Sequence, residues 1–460
     1  MLLAGFMVPH PPLIIPEIGK GEEETIRETI NAYERAAEEI AALTPETIII
    51  TSPHSVMYGD YFHVSPGKGA KGSFRRFGAG KVRFEEDYDT LLRDRICTLA
   101  DSAGFPAGTL GERDADLDHG TMVPLWFIRR KYLGGRIVRI GLSGLPLSDH
   151  YRLGQLIARA AEDTGRRAVF VASGDLSHKL QPYGPYGFAP EGPAYDQRIM
   201  DVCSRAAFGE LFDFDETFCD RAAECGHRSF VIMAGAFDGV RVKAEAFSHQ
   251  DVTGVGYGIC SFYPEGPDEG RHFLQAYEAR IEKEMREKAE KSDAFVKLAR
   301  ASVESWVRDR RVLSLPADLP AELRARRAGA FVSIHKNGQL RGCIGTISAA
   351  EDCLGQEIIQ NAVSASSRDP RFSPITPDEL RYLEISVDVL GDAEPVDSPD
   401  KLDAKRYGVI VTRGRKRGLL LPDLDGVDTV EEQIRIAKKK AGIREDEDCS
   451  LERFEVVRHY

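Results

Sequence analysis

Over its first 265 residues the chain repeats one pattern, a short apolar run that ends in a polar turn carrying histidine or glycine and then gives way to a helical stretch. Strands alternating with amphipathic helices leave few architectures open, because each strand needs helices on its faces and a parallel neighbour at its side. Strands are expected over Leu2–Val8, 47–51, 136–142, 168–172, 242–247 and 256–262. Helices are expected over 23–43, 87–100, 121–132 and 151–162, the first carrying Ile26, Ile30, Tyr33, Ala37 and Ile40 at helical spacing. The expected fold class is α/β, one central sheet covered by helices.

At 460 residues the chain exceeds what one hydrophobic core organises, so at least two domains are expected. The composition shifts after the PEGPDEG stretch at 264–270, where the chain enters a segment dense in alternating charges and poor in apolar residues. The expected boundaries are a first domain over 1–265, a charged linker helix over 266–292 and a second domain over 293–460. The second domain opens with an amphipathic helix bearing Phe295, Leu298, Ala299, Val303 and Trp306. Strand-like runs follow at 330–334, 383–390 and 418–421, with a lysine-rich helix at 429–441, the mixture expected of a smaller α+β unit.

A formal net charge of -12 provides no positive field for a phosphate backbone, so no nucleic-acid partner is expected. No run approaches the roughly 20 apolar residues that cross a bilayer. The opening MLLAGFMVPHPP reaches histidine and proline too early for a signal-peptide core, and a cytoplasmic location is expected with no membrane partner. The eight cysteines contain no CxxC pair, and reduced thiols are expected.

Ligands of an open α/β sheet bind beyond the carboxyl ends of its strands. Three histidines fall at such ends: His10 in FMVPHPP, His54 in IIITSPHS and His178 in VFVASGDLSH. Two imidazoles and one carboxylate form the facial set of non-haem ferrous enzymes, which leaves positions open for substrate and dioxygen. The carboxylate candidate is Glu224 in AAECGHRSF, at the entrance of an apolar, buried helix; it could equally serve only the helix dipole. His227, three residues on, rivals it as a ligand. His119 in DLDHG is either a proton donor or a helix-start residue, while Asp116 and Asp118 read as caps. Asp175 either orients His178 or satisfies its own turn.

In their order and spacing, FMVPHPP, TSPHS, DLDHG, SGDLSH and ECGHRS resemble the class III extradiol ring-cleavage dioxygenases of the LigB type and their Memo relatives, over about residues 1–263. The resemblance implies a central mixed sheet covered by helices. It further implies ferrous iron held by His10, His54 and Glu224, with His178 as catalytic base and His119 assisting as an acid.

In the second domain, LRGCIGT at 340–346 places Cys343 between Gly342 and Gly345, which permit close backbone approach or positive φ; Cys343 itself is either a small buried hydrophobe or a reactive thiol. RDPRFSPI supplies a basic loop around Arg368. With VSIHKNGQ, LEISVDVLGDAEPV and GLLLPDLDGVDTVEEQ, these motifs resemble the AMMECR family over about 293–458. The fusion resembles the grouping of AMMECR, Memo and radical-SAM proteins, and implies a radical-SAM enzyme as a candidate partner. This chain carries no CxxxCxxC cluster motif of its own.

Three functions compete on these readings. The leading one is an Fe(II)- and dioxygen-dependent extradiol dioxygenase opening a small catechol-like aromatic ring. The others are a metal-binding adaptor without ring-cleaving activity and a hydrolase in which the same residues hold Zn(II).

Overall fold

Residues 1–111, 116–424 and 426–460 are described in a computed structural model of the protein. The chain divides into two compact units, Met1–Glu278 and Ala279–Tyr460.

The first unit is built on six strands: β1 (Leu2–Val8), β2 (Thr47–Ser52), β3 (Arg136–Gly141), β4 (Ala168–Ser173), β5 (Val240–Gln250) and β6 (Tyr257–Pro267). They lie in the order β3-β2-β4-β1-β6-β5. The first four run parallel; β6 is antiparallel to β1, and β5 to β6, so the sheet is mixed. Every residue of β2 and β4 is buried, as a strand covered on both faces requires.

Successive side chains point to opposite faces and fill two separate cores. Met7, Ile49, Val138, Phe170 and Ala172 pack with the helices Thr90–Ser102, Leu147–Asp163, Glu191–Ser204 and His227–Gly235. Phe6, Ile48, Ile50, Val169 and Val171 pack on the other face with Arg27–Leu43 and His119–Lys131. Fully burying one such aliphatic side chain contributes roughly 1.5–3 kcal/mol, so a one-residue slip in register would expose a whole face and is strongly disfavoured.

That register positions the strand ends. Val8 lies opposite Ser173, Thr51 opposite Ala172 and Ser52 opposite Gly141, so the loops after β1, β2 and β4 leave the sheet at one level. Tyr33 stacks on Phe127 with centroids 4.2 Å apart and donates its hydroxyl to the Pro9 carbonyl, which fixes the exit from β1. An antiparallel hairpin of Gly69–Phe74 and Ala79–Asp87, which the sequence pattern did not suggest, rises beside this end of the sheet.

The helix Phe273–Lys291 falls within the charged segment. Its first turns are less solvated than the composition implied: Leu274 is buried in the first unit's core, with Phe273 and Tyr277 packed against it.

The second unit is a curled antiparallel sheet. Its strands follow the order Gln339–Gly345, Ala330–Lys336, Leu383–Leu390, Ser450–His459, Tyr407–Arg413 and Lys416–Leu420, with Glu394–Val396 also pairing to Ser450–His459. Ala294–Asp309 and Leu354–Ser367 pack into its main core. No helix among the described residues is long and apolar enough to cross a membrane.

Candidate metal centre

The loops leaving β1, β2 and β4 bring His10, His54 and Asp175 together at the carboxyl edge of the sheet, with His119 from the start of His119–Lys131 and Cys225 from the loop before His227–Gly235. Two sets of three donor atoms each lie within 4.8 Å of one another: His10, His54 and His119, and His10, Asp175 and Cys225. His10 belongs to both and is almost completely buried, at 1% exposure.

Hydrogen bonds decide which nitrogen of His10 is free. Ser173 donates its hydroxyl to the Gly120 carbonyl at 2.6 Å, so at the 2.9 Å contact with His10 the imidazole Nδ1–H is the donor. The lone pair then sits on Nε2, the tautomer a metal ligand needs, oriented by a polar partner on the far side of the ring. His10 Nε2 faces His54 Nε2 at 3.0 Å and Cys225 Sγ at 3.6 Å. With metal–nitrogen bonds of about 2.1 Å, adjacent ligands at right angles are separated by about 3.0 Å, so the two imidazoles fit one ion.

His119 stacks on His54 with centroids 4.0 Å apart and stands 5.4 Å from His10. Burial and the two neighbouring imidazoles push its pKa down to about 4. Burial likewise holds His10 well below the ordinary histidine range and lowers His54. Neutral imidazole is the coordinating form, and desolvation maintains it here at neutral pH. Asp118 caps the helix through the Thr121 N–H and also accepts the Ser52 hydroxyl at 2.6 Å, tying the His119 helix to the end of β2. Gly120 allows this approach, since a Cβ there would stand 2.3 Å from Ser52 Oγ.

Asp175 accepts the His10 backbone N–H at 2.7 Å, and its other carboxylate oxygen lies 3.9 Å from His10 Nε2 and 4.0 Å from His178 Nε2. His178 donates Nδ1–H to the Ala223 carbonyl at 2.6 Å, which leaves Nε2 basic and turned toward Asp175. The Asp175 carboxylate thus braces the loop of His10 instead of its own turn, and faces His178 without a direct hydrogen bond. Burial raises its pKa, and it pushes the Cys225 thiol well above its usual range. A thiol in that environment loses its proton on coordination rather than spontaneously.

Glu224 is not brought to His10 and His54; it joins neither donor set among the described residues. Its Oε2 accepts the His227 backbone N–H at 2.6 Å and it also accepts from the Gly226 N–H, so the carboxylate serves the orphan donors at the entry to His227–Gly235. Burial pushes its pKa up to about 7. His227 is also turned away, with Nε2 donating to the Leu211 carbonyl and Nδ1 facing the Tyr195 hydroxyl. The residue that reaches the cluster from this loop is Cys225. Its signal in the sequence was slight, a cysteine beside Gly226, whose Cα packs against Gly174 after β4.

In the second unit Cys343 is half-buried, receives the Ser333 hydroxyl at Sγ and donates its backbone N–H to Asp369. Gly342 and Gly345 serve close approach, not positive φ: added Cβ atoms would lie 2.2 Å from the Ala365 carbonyl oxygen and from the Phe331 ring. The Arg368 guanidinium lies over Trp306 at 5.9 Å.

The family profile described as the catalytic LigB subunit of aromatic ring-opening dioxygenase matches residues 4–260, and the AMMECR1 profile matches residues 296–459. Protein CA_C1420 of Clostridium acetobutylicum is 39% identical over 469 residues, spanning 100% of this chain and 99% of that protein. A protein of Thermotoga maritima is 52% identical over 167 residues, covering 36% of this chain and 96% of its own length. Among solved structures, the uncharacterized protein PH0010 from Pyrococcus horikoshii is 30% identical and covers 37% of this chain and 91% of its own, with a TM-score of 0.35.

Proposed function

Because the chain belongs to the family of the catalytic LigB subunit of aromatic ring-opening dioxygenases, joined here to an AMMECR1 domain, we propose that its first unit is a ferrous-iron extradiol dioxygenase acting on a catechol-type ring. The observation that carries this reading is the pair of imidazole Nε2 atoms 3.0 Å apart at the strand ends, beside a second carboxylate-facing imidazole that is free to take a proton.

His10 and His54 would hold the metal, with the set completed from His119, Asp175 and Cys225. Ferrous iron bound there supplies open positions at which a diol and dioxygen can meet. His178 is the base: its Nε2 accepts a phenolic proton while Nδ1–H stays on the Ala223 carbonyl. Asp175, 4.0 Å away, stabilises the imidazolium that results, and His178 returns the proton later in the cycle. His119, neutral at working pH, donates a hydrogen bond rather than a full charge. The reading includes a radical-SAM enzyme as partner, because the fusion of these two domains resembles the grouping of AMMECR, Memo and radical-SAM proteins. It also includes a cytoplasmic location, which suits eight cysteines that are all free.

Anaerobic loading with ferrous iron followed by oxygen uptake on a panel of catechols tests the proposal. Uptake coupled to loss of the catechol absorbance supports it. Tight metal binding without uptake on any catechol overturns it in favour of a metal-binding adaptor.

A further inference from the structure

Two exposed aromatic side chains stand at opposite ends of the histidine cluster. Phe77, at the tip of the Gly69–Asp87 hairpin, is 37% exposed and meets the His119 ring edge-on, centroids 5.4 Å apart. Tyr186, in the loop after β4, is 60% exposed and meets the His178 ring edge-on at 5.1 Å. Contacts run unbroken from one to the other: Phe77 to His119, His119 to His54, His54 to His10, His10 to Asp175, Asp175 to His178, and His178 to Tyr186.

The loop of Tyr186 is a built element. Gly184 donates to the Gln181 carbonyl, Gly187 donates to the Gly184 carbonyl, and the Gln181 side chain is held by Asp251. It presents Tyr183 and Phe188 to solvent as well, at 73% and 53% exposure. The hairpin is equally well defined, with Phe74 fully buried beneath Phe77. Large rings held in water by hydrogen-bonded backbone, each against a histidine of the cluster, are placed to contact a ligand that binds there.

We propose that Phe77 and Tyr186 are ring-binding residues that hold a planar aromatic diol over the cluster, Phe77 on the His119 side and Tyr186 on the His178 side. The inference rests on the ring-opening reading and deepens it. His178 and His119 engage the oxygens of the diol, and the two aromatic side chains supply contact to the flat ring, which hydrogen-bonding groups cannot. Substrates of this site are therefore selected for a planar ring as well as for two adjacent oxygens.

The test is an anaerobic optical titration of the iron-loaded full chain with nitrocatechol, whose absorbance changes on chelation. Phe77→Ala and Tyr186→Ala should each weaken binding by about five- to tenfold, the range of an aromatic pair contact. Tyr186→Phe, which keeps the ring, should stay within about twofold of wild type. Iron content should not change, since the two donor sets of the cluster are drawn from His10, His54, His119, Asp175 and Cys225. Both alanine variants binding nitrocatechol as tightly as wild type, with full iron, would overturn the inference and leave the ring-opening reading standing. Loss of iron from either variant would make that residue part of the metal site's scaffold and overturn its role here. An iron-loaded wild type that does not bind nitrocatechol at all would overturn both readings together.

Discussion

Replacing Gly174 by alanine probes how the fold assembles the cluster. The new Cβ would stand 2.1 Å from the Gly226 Cα and 3.0 Å from the Gly226 nitrogen. Ordinary contact begins at 3.4 Å, so the two loops must separate by 3.4 minus 2.1, or 1.3 Å, and both contacting atoms are backbone that cannot swing aside. Overpacking of this kind costs about 1–3 kcal/mol. For a unit of this size that lowers the melting temperature by several degrees. The displacement also falls on the hydrogen bonds that join the loops, from Asp175 N–H to Cys225 Sγ at 3.3 Å and from Cys225 N–H to the Asp175 carbonyl at 3.4 Å. His54 and His119 stand on other loops and are expected to stay in place. Metal affinity should therefore fall by roughly tenfold to a hundredfold without being abolished, as for loss of an orienting partner. Urea melts and metal titration of the full chain read both effects, with Gly59→Ala as control because a Cβ there meets nothing within 4 Å. If Gly174→Ala melts and binds metal as wild type does, the glycine contact does not set the geometry and the reasoning is refuted.

Substitution at the loop before His227 separates two ligand assignments: Cys225→Ser is expected to weaken metal binding by about tenfold or more, and Glu224→Gln to leave it near wild type, whereas the reverse result would restore Glu224 as the ligand. Burial holds His227 at about 4, below its unfolded value of 6.5, so its neutral form stabilises the fold fully above pH 6.5. That contribution, about 3 kcal/mol at most, is lost as pH falls from 6.5 toward 4, and an unfolding free energy that is flat across this window in urea melts would contradict it. A fragment ending at 278 should be more stable than one ending at 265 by roughly 3 kcal/mol or more, since the shorter one removes Leu274, Phe273 and Tyr277 from the first core; equal melts would show that these contacts contribute nothing.

The elements most legible in the sequence were those whose pattern has one physical cause. Leu2–Val8 stands where the apolar run placed it and the other parallel strands differ by one residue at their ends, because a strand covered on both faces is largely apolar; Leu383–Leu390 stands where Leu383, Ile385, Val387 and Val389 alternate with more polar residues. The Gly69–Asp87 hairpin was not visible, since its exposed strands carry Gly, Lys, Arg and Glu and bury few side chains beyond Ala70, Phe74 and Ala79. The helix Glu191–Ser204 was hidden by the Gly192 and Pro193 in its first turn. At the cluster, His10 and His54 were legible because they follow strands whose register alone brings the ends level. Cys225 was not: its place depends on Gly174 meeting Gly226 across the molecule, a contact that leaves no periodicity in the chain. Glu224, one residue earlier, carried the stronger chemical signal, and the unpaired N–H groups at the start of its own helix claim its carboxylate.

The central claim is that this cluster uses dioxygen to open a catechol-type ring, and the fate of the oxygen atoms tests it most directly. Iron-loaded protein is mixed with a catechol under isotopically heavy dioxygen and the product is weighed by mass spectrometry. A dioxygenase reaction places both heavy atoms in one ring-opened product, and the same mixture with His178→Phe protein gives none. A catechol recovered intact, or a product carrying no heavy oxygen, would contradict the account.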